Sequence, residues 1–193
     1  MSARLLLATF ALFSACSEEQ TAAPAPAPEY HTLHREGFKG AIFQFKHEGD
    51  HYLGCSIHQG GASPGVKAFR EGESEPVVFR RRAHSQKDLH IWTYSQESRK
   101  PSHVLTYRPN PVVRIGDRIY FLNKGQKIPA TVIGQPKGKQ FRHTYKTDTP
   151  FPAAGMSGSP VYLPRTCAVI GVLQTANHRT EATLGGFELL NME

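Results

Sequence analysis

About a dozen short apolar runs, alternating with turn signals from residue 34 onward, constrain the fold of this chain most strongly. The runs cover residues 41–45, 52–57, 66–69, 77–80, 89–94, 104–107, 118–122, 130–133, 141–145, 161–163, 168–173 and 187–190. No segment shows a convincing helical pattern of ten or more residues. The spacing predicts an all-β barrel or sandwich, and the 17 Gly and 14 Pro spread through the chain suit short strands and turns.

Length and charge limit the classes of protein further. The 193 residues suffice for one domain or at most two small lobes. A formal charge of +7 predicts a basic surface that could attract acidic substrates or an anionic membrane, or could simply be solvated. No nucleic-acid motif accompanies the charge, so no nucleic-acid partner is predicted. No cofactor is predicted either.

The N-terminus has the features of an export signal. Arg4 precedes an apolar run at residues 5–13 that is too short to span a bilayer. Ser14-Ala15-Cys16 resembles a bacterial lipobox, which implies a signal peptide at 1–15, cleavage before Cys16 and lipid attachment to its thiol. The alternative is a plain secretory signal. Both predict export, and the lipid anchor would be the only membrane contact, with the domain facing the periplasm or the cell exterior.

A tether is predicted to follow the lipidated cysteine. The tether is predicted over residues 16–33, because residues 17–28 are polar and then alternate Ala and Pro, which favours an extended chain. The folded domain is predicted at 34–193. It retains Cys55 and Cys167, and an exported compartment permits a disulfide between them, but the sequence leaves this pairing open.

The segment that most clearly indicates a reactive site is Gly155-Met156-Ser157-Gly158-Ser159-Pro160, which precedes an apolar run. A serine hydroxyl needs a base to take its proton and donors to stabilise an oxyanion. Flanking glycines allow a tight turn in which the Gly155 and Ser157 amides point at one spot. The segment resembles the nucleophile motif of the chymotrypsin/trypsin superfamily of serine peptidases. The alternative is a plain Gly-Ser-Pro turn between strands.

The resemblance implies partners for Ser157 in the order His, Asp, Ser. His58 directly follows the apolar run at 52–57, and Asp88 directly precedes the run at 89–94, as the superfamily pattern requires. His58 would be the general base and acid, and Asp88 would orient its imidazole. The implied fold is two antiparallel six-stranded β-barrels, roughly 34–105 and 106–193, with the active site between them. The implied activity is serine endopeptidase cleavage of a protein or peptide through an acyl-enzyme.

Two departures refine this interpretation. Met156 stands where trypsins carry an aspartate that pairs with a newly cut N-terminus, so activation by that route is not predicted. By position, the substrate pocket would be walled by Phe151, Leu173, Gln174 and Thr175. None is acidic, which argues against a preference for Arg or Lys and favours an apolar or small residue before the cut.

Two alternatives stay open. His47-Glu48-Gly49-Asp50-His51 matches the zinc-peptidase motif, in which His47 and His51 bind the metal and Glu48 is the base. That motif requires a helix, whereas Glu-Gly-Asp between two β-rich runs predicts a hairpin turn. The other alternative is a peptidase fold that has lost activity and serves as an envelope binding protein.

Overall fold

The computed structural model describes residues 32–56, 63–70, 72–86, 89–96, 104–138, 142–151 and 154–192. Its strands in these ranges are β1 (Leu33–His34), β2 (Ile42–His47), β3 (Asp50–Ser56), β4 (Lys67–Arg70), β5 (Val77–Gln86), β6 (Leu89–Gln96), β7 (Leu105–Thr106), β8 (Arg118–Asn123), β9 (Gln126–Gly134), β10 (His143–Thr147), β11 (Pro160–Leu163), β12 (Ala168–His178) and β13 (Thr183–Leu189). A single 3-10 turn, Pro164–Thr166, lies between β11 and β12. None of these segments is a helix long and apolar enough to cross a bilayer.

The first barrel contains β1 to β6 in the order β1-β4-β5-β6-β3-β2. It closes because β1 pairs on both sides: Leu33 is opposite Ile42 of β2 and also opposite Arg70 of β4. The barrel interior is filled by apolar side chains from every strand, including Phe79 and Trp92, whose rings meet edge to face at 5.7 Å. The β1–β2 pairing thus joins the first and the sixth strand of this order into a closed barrel.

The second barrel contains β8 to β13 in the closed order β10-β13-β12-β11-β8-β9. Alternate residues of β10 are buried, as expected for a strand with one face toward a core. The rings of Phe121 and Tyr145 pack edge to face in its centre, 4.5 Å apart. The core of this barrel also includes Phe151, Met156 and Leu173.

The two barrels meet along an apolar seam. Phe45 and Leu89 of the first barrel pack in one cluster with Val169 and Val172 of the second. β7 lies in this seam, pairs in parallel with β2, and is followed by Tyr107, which forms a parallel bridge with Val169. The seam therefore joins the two barrels through side chains of β2, β6, β7 and β12.

The predicted fold class is confirmed: the chain forms two closed six-stranded antiparallel barrels. Each of the twelve predicted runs overlaps one strand between β2 and β13. β1 was not predicted, because Leu33–His34 is only two residues long and too short to show an alternation of apolar and polar residues.

Candidate active site

Ser157 lies in a tight turn immediately before β11. Gly155 and Gly158 flank it with φ of +78° and +85°, a backbone region that residues with a Cβ rarely adopt. Ser157 is partly exposed, whereas Ser159 two residues later is fully buried. Of these two serines, Ser157 is therefore the one whose hydroxyl an incoming substrate can reach.

Hydrogen bonds fix the turn from within. The Ser159 backbone N–H and hydroxyl both donate to the Met156 carbonyl, at 3.0 and 2.6 Å. The Gly158 N–H donates to the Leu173 carbonyl at 2.8 Å, and the Leu173 N–H donates to the Ser159 carbonyl at 2.9 Å. The turn is thus joined to β12 on one side.

The other side of the turn contacts the first barrel. The Ala41 N–H donates to the Ser157 carbonyl at 2.8 Å. A Cβ added to Gly155 would lie 3.0 Å from the Lys39 carbonyl oxygen, so only glycine fits there without a shift. The Gly155 and Ser157 amides donate to no backbone carbonyl of the described residues.

His58 and Asp88 lie outside the described residues, but the strands that lead to them are described. Ser56, the last residue of β3, is paired with Leu89, the first residue of β6. β3 therefore ends and β6 begins at the same end of the sheet; in the sequence, His58 is two residues after the one and Asp88 one residue before the other. For His58 and Asp88, the described residues show this pairing of the neighbouring strands and not the two residues themselves.

This end of the first barrel is also the end nearest Ser157. Cys55, directly before Ser56, is paired with Ile42, the first residue of β2. Ala41 immediately precedes Ile42 and donates to the Ser157 carbonyl. One hydrogen bond and two neighbouring strand pairs thus connect the Ser157 turn to the point where β3 ends and β6 begins.

The four predicted pocket residues differ in exposure. Phe151 and Leu173 are buried and pack in the second-barrel core beneath the turn, together with Met156. Thr175 is exposed, and its carbonyl accepts a hydrogen bond from the Tyr145 hydroxyl at 3.0 Å. Gln174 is 3% exposed, and neither polar atom of its amide has a hydrogen-bond partner within the described chain.

A buried polar network behind the turn was not predicted. The Thr32 hydroxyl donates to Asn123 Oδ1 at 2.6 Å, and Asn123 Nδ2 donates to Met156 Sδ at 2.6 Å. The Lys124 N–H donates to Thr32 Oγ1 at 3.4 Å. All three side chains of the network are at most 6% exposed. Thr32, the residue before β1, is thereby connected to the residue that precedes Ser157, without any charged side chain.

We expect Asn123→Ala to lower the free energy of unfolding by about 2 kcal/mol, because it leaves the buried Thr32 hydroxyl without its acceptor. Urea denaturation monitored by Trp92 fluorescence measures the change. Thr32→Ser is the matched control, since it keeps the hydroxyl, and should cost much less. An unchanged urea midpoint in Asn123→Ala would show that the network contributes nothing to stability.

The zinc-motif residues lie on a hairpin, as the turn interpretation predicted. β2 ends at His47, Glu48 and Gly49 form the turn with positive φ, and β3 begins at Asp50. The register pairs His47 with Asp50 and Lys46 with His51, so His47 and His51 point to opposite faces of the sheet. They cannot bind one ion from these positions. Within the described ranges, no group of three metal-binding side chains is close enough to hold a metal.

Cys55 and Cys167 are both free thiols, so the disulfide that the sequence left open is not formed between them. Cys55 is buried and Cys167 is exposed. Burial raises the pKa of the Cys55 thiol to about 12, so it stays protonated at neutral pH. Cys55 is therefore a core residue and no rival nucleophile to Ser157.

Comparison with known proteins gives similarity of fold. No family model and no curated protein sequence matches the chain. Among solved structures, Nocardiopsis protease is 11% identical with a TM-score of 0.54, covering 86% of this chain and 93% of its own. Cellulomonas bogoriensis chymotrypsin is 12% identical with a TM-score of 0.53, covering 86% and 92%. A glutamic acid-specific serine protease with a histidine triad in substrate binding is 13% identical with a TM-score of 0.55, covering 82% and 91%.

These structures define the class of fold: the chain has the two-barrel architecture of chymotrypsin-like serine proteases. The identities are low, so the likeness is one of fold.

Proposed function

We propose that this protein is a serine endopeptidase that cleaves peptide bonds through Ser157, His58 and Asp88. His58 accepts the Ser157 proton as the hydroxyl attacks the carbonyl carbon, and then protonates the leaving amine. Asp88 orients the imidazole and stabilises its charged form. The Gly155 and Ser157 amides bind the oxyanion, and water then hydrolyses the acyl-enzyme.

The observation that carries this proposal is the connection between Ser157 and the first barrel. The Ala41 N–H contacts the Ser157 carbonyl at 2.8 Å, beside the paired ends of β3 and β6. His58 is two residues beyond the end of β3, and Asp88 is one residue before β6. This arrangement supports a triad assembled at the seam between the barrels. The Gly155 and Ser157 amides of the same turn donate to no backbone carbonyl within the described ranges, which suits them to bind an oxyanion.

The position of Gln174 also supports a reaction centre at the seam. Gln174 is two residues beyond Val172, which packs in the seam cluster with Leu89. Asp88 directly precedes Leu89 in the chain. A buried amide with both polar atoms unpaired requires a polar partner, because an unpaired buried group costs about 1 to 3 kcal/mol. A carboxylate or imidazole at this end of β6 would satisfy it.

Labelling with a fluorophosphonate probe tests the proposal. The probe forms a covalent bond only with a serine that is activated as a nucleophile. We expect folded wild-type protein to be labelled at a single site and Ser157→Ala to lose the label. Ser74→Ala, which changes an exposed serine in the loop between β4 and β5, is the matched control and should label as wild type does. Folded wild-type protein that fails to react would favour the alternative of an inactive peptidase fold used for binding.

We also propose that the enzyme is exported and held at a membrane by lipid on Cys16. The proposal is supported by the apolar run at residues 5–13, the small residues before Cys16 and the Ala-Pro tether that follows. The tether would hold the catalytic domain away from the lipid surface, where it can reach protein or peptide substrates.

A further inference from the structure

A cavity of about 320 Å³ lies beside the Ser157 turn, between the two barrels. Phe38, Lys39 and Gly40 form one wall, from the loop between β1 and β2. Asn123, the last residue of β8, and Lys124 after it line the cavity from the second barrel, and so does Gly155, which is two residues before Ser157. The cavity is large enough for one amino-acid side chain with its solvating water.

The ionisable side chains that line this cavity are all basic. His34, Lys39 and Lys124 line it and are exposed to solvent, and no acidic side chain lines it among the described residues. Neither lysine forms an ion pair with an acid in the described ranges. The nearest acid in sequence on the same loop, Glu36, is exposed and does not line the cavity. The two ammonium groups are thus available to a carboxylate from outside.

The position of the cavity indicates which part of a peptide would reach it. β12 borders the Ser157 turn on one side through Leu173, and the loop that ends at Ala41 borders it on the other. A peptide whose residue before the cut bond lies against β12 therefore continues past Ser157 toward Lys39. An extended peptide advances about 3.3 Å per residue with alternating side chains. One of the first two residues after the cut bond would place its side chain beside Gly155, over the cavity.

We infer that this cavity is a substrate subsite that selects an acidic side chain, Asp or Glu, at one of the first two positions after the cut bond. The inference rests on the proposed peptidase function. Phe38 gives the cavity an apolar wall for the methylene groups of the side chain, and Lys39 and Lys124 provide the opposite charge for its carboxylate. The same charge disfavours a substrate with Lys or Arg at that position.

Cleavage of extended peptides that differ only at these two positions tests the inference. At low ionic strength we expect kcat/KM to be about fivefold to tenfold higher with Glu than with Lys at one of them, as two exposed ion pairs allow. The ratio should shrink in 0.5 M NaCl, because salt screens exposed charges. In Lys39→Glu/Lys124→Glu the preference should reverse.

The controls separate this subsite from the net charge and from the catalytic centre. Lys67→Glu/Lys146→Glu changes two exposed lysines on β4 and β10 by the same net charge and should keep the wild-type preference. Lys39→Gln/Lys124→Gln should abolish the preference without reversing it. Retained fluorophosphonate labelling of each variant at a single site shows that the Ser157 turn is intact, whatever its rate of peptide cleavage. Equal kcat/KM for Glu and Lys peptides in a wild-type enzyme that labels normally would overturn the subsite alone, whereas absence of labelling would overturn the peptidase proposal itself.

Discussion

Replacement of Ser157 by alanine should lower kcat/KM for a peptide substrate by about a millionfold, because it removes the nucleophile of the proposed reaction. His58→Ala should lower it to a similar extent, since the hydroxyl is a poor nucleophile without its base. Asp88→Asn should cost about ten thousandfold by stabilising the wrong imidazole tautomer. Steady-state kinetics on extended fluorogenic peptides, with a urea midpoint for each variant, measures these losses apart from unfolding.

The combinations are as informative as the single changes. Three groups that act in one proton transfer do not contribute independently, so Ser157→Ala/His58→Ala should be about as inactive as either single variant. Ser74→Ala again serves as the matched control and should retain full activity. Wild-type kinetics in any one of the three single variants would remove that residue from the catalytic proposal.

The largest loss of stability is expected from Gly185→Ala. Gly185 lies on β13, where a Cβ would be 2.0 Å from the Thr175 carbonyl oxygen of β12 and 2.7 Å from the Tyr145 hydroxyl. The Tyr145 hydroxyl donates to this same carbonyl at 3.0 Å. A methyl group would therefore force two strands of a closed barrel apart and break a hydrogen bond. We expect a loss of about 3 kcal/mol or more and a fall in Tm of about 10 °C.

The neighbouring glycine is the matched control. At Gly186 an added Cβ would meet the Arg142 and Thr175 side chains, each at 3.3 Å, and these can move by a few tenths of an ångström. Gly186→Ala should therefore cost less than about 1 kcal/mol. Thermal unfolding of both variants by circular dichroism decides the comparison. Equal Tm values for the two variants would contradict the tight approach of β12 and β13 at Gly185.

Local sequence patterns predicted most of this fold. Alternation of apolar and polar residues depends only on neighbouring positions, so the runs that became β2 to β13 could be found without knowledge of their partners. The Gly155-Met156-Ser157-Gly158 turn was predicted for the same reason, because glycine and turn geometry are local properties. The zinc motif illustrates the limit of spacing alone. His47 and His51 have the right separation, but a hairpin register places them on opposite faces.

The sequence by itself therefore predicted an all-β barrel or sandwich and the turn that contains Ser157, and the family resemblance of that turn implied two barrels. Only the tertiary structure revealed the Thr32–Asn123–Met156 network, whose bonded side chains lie 91 and 33 residues apart in the chain. It also brought Lys39 and Lys124 to one cavity beside Gly155. The physical reason is that these contacts join the first barrel to the second, since Thr32 and Lys39 flank β1 and β2 whereas Asn123 and Lys124 lie at the end of β8. No local pattern specifies which side chains meet when two barrels pack against each other.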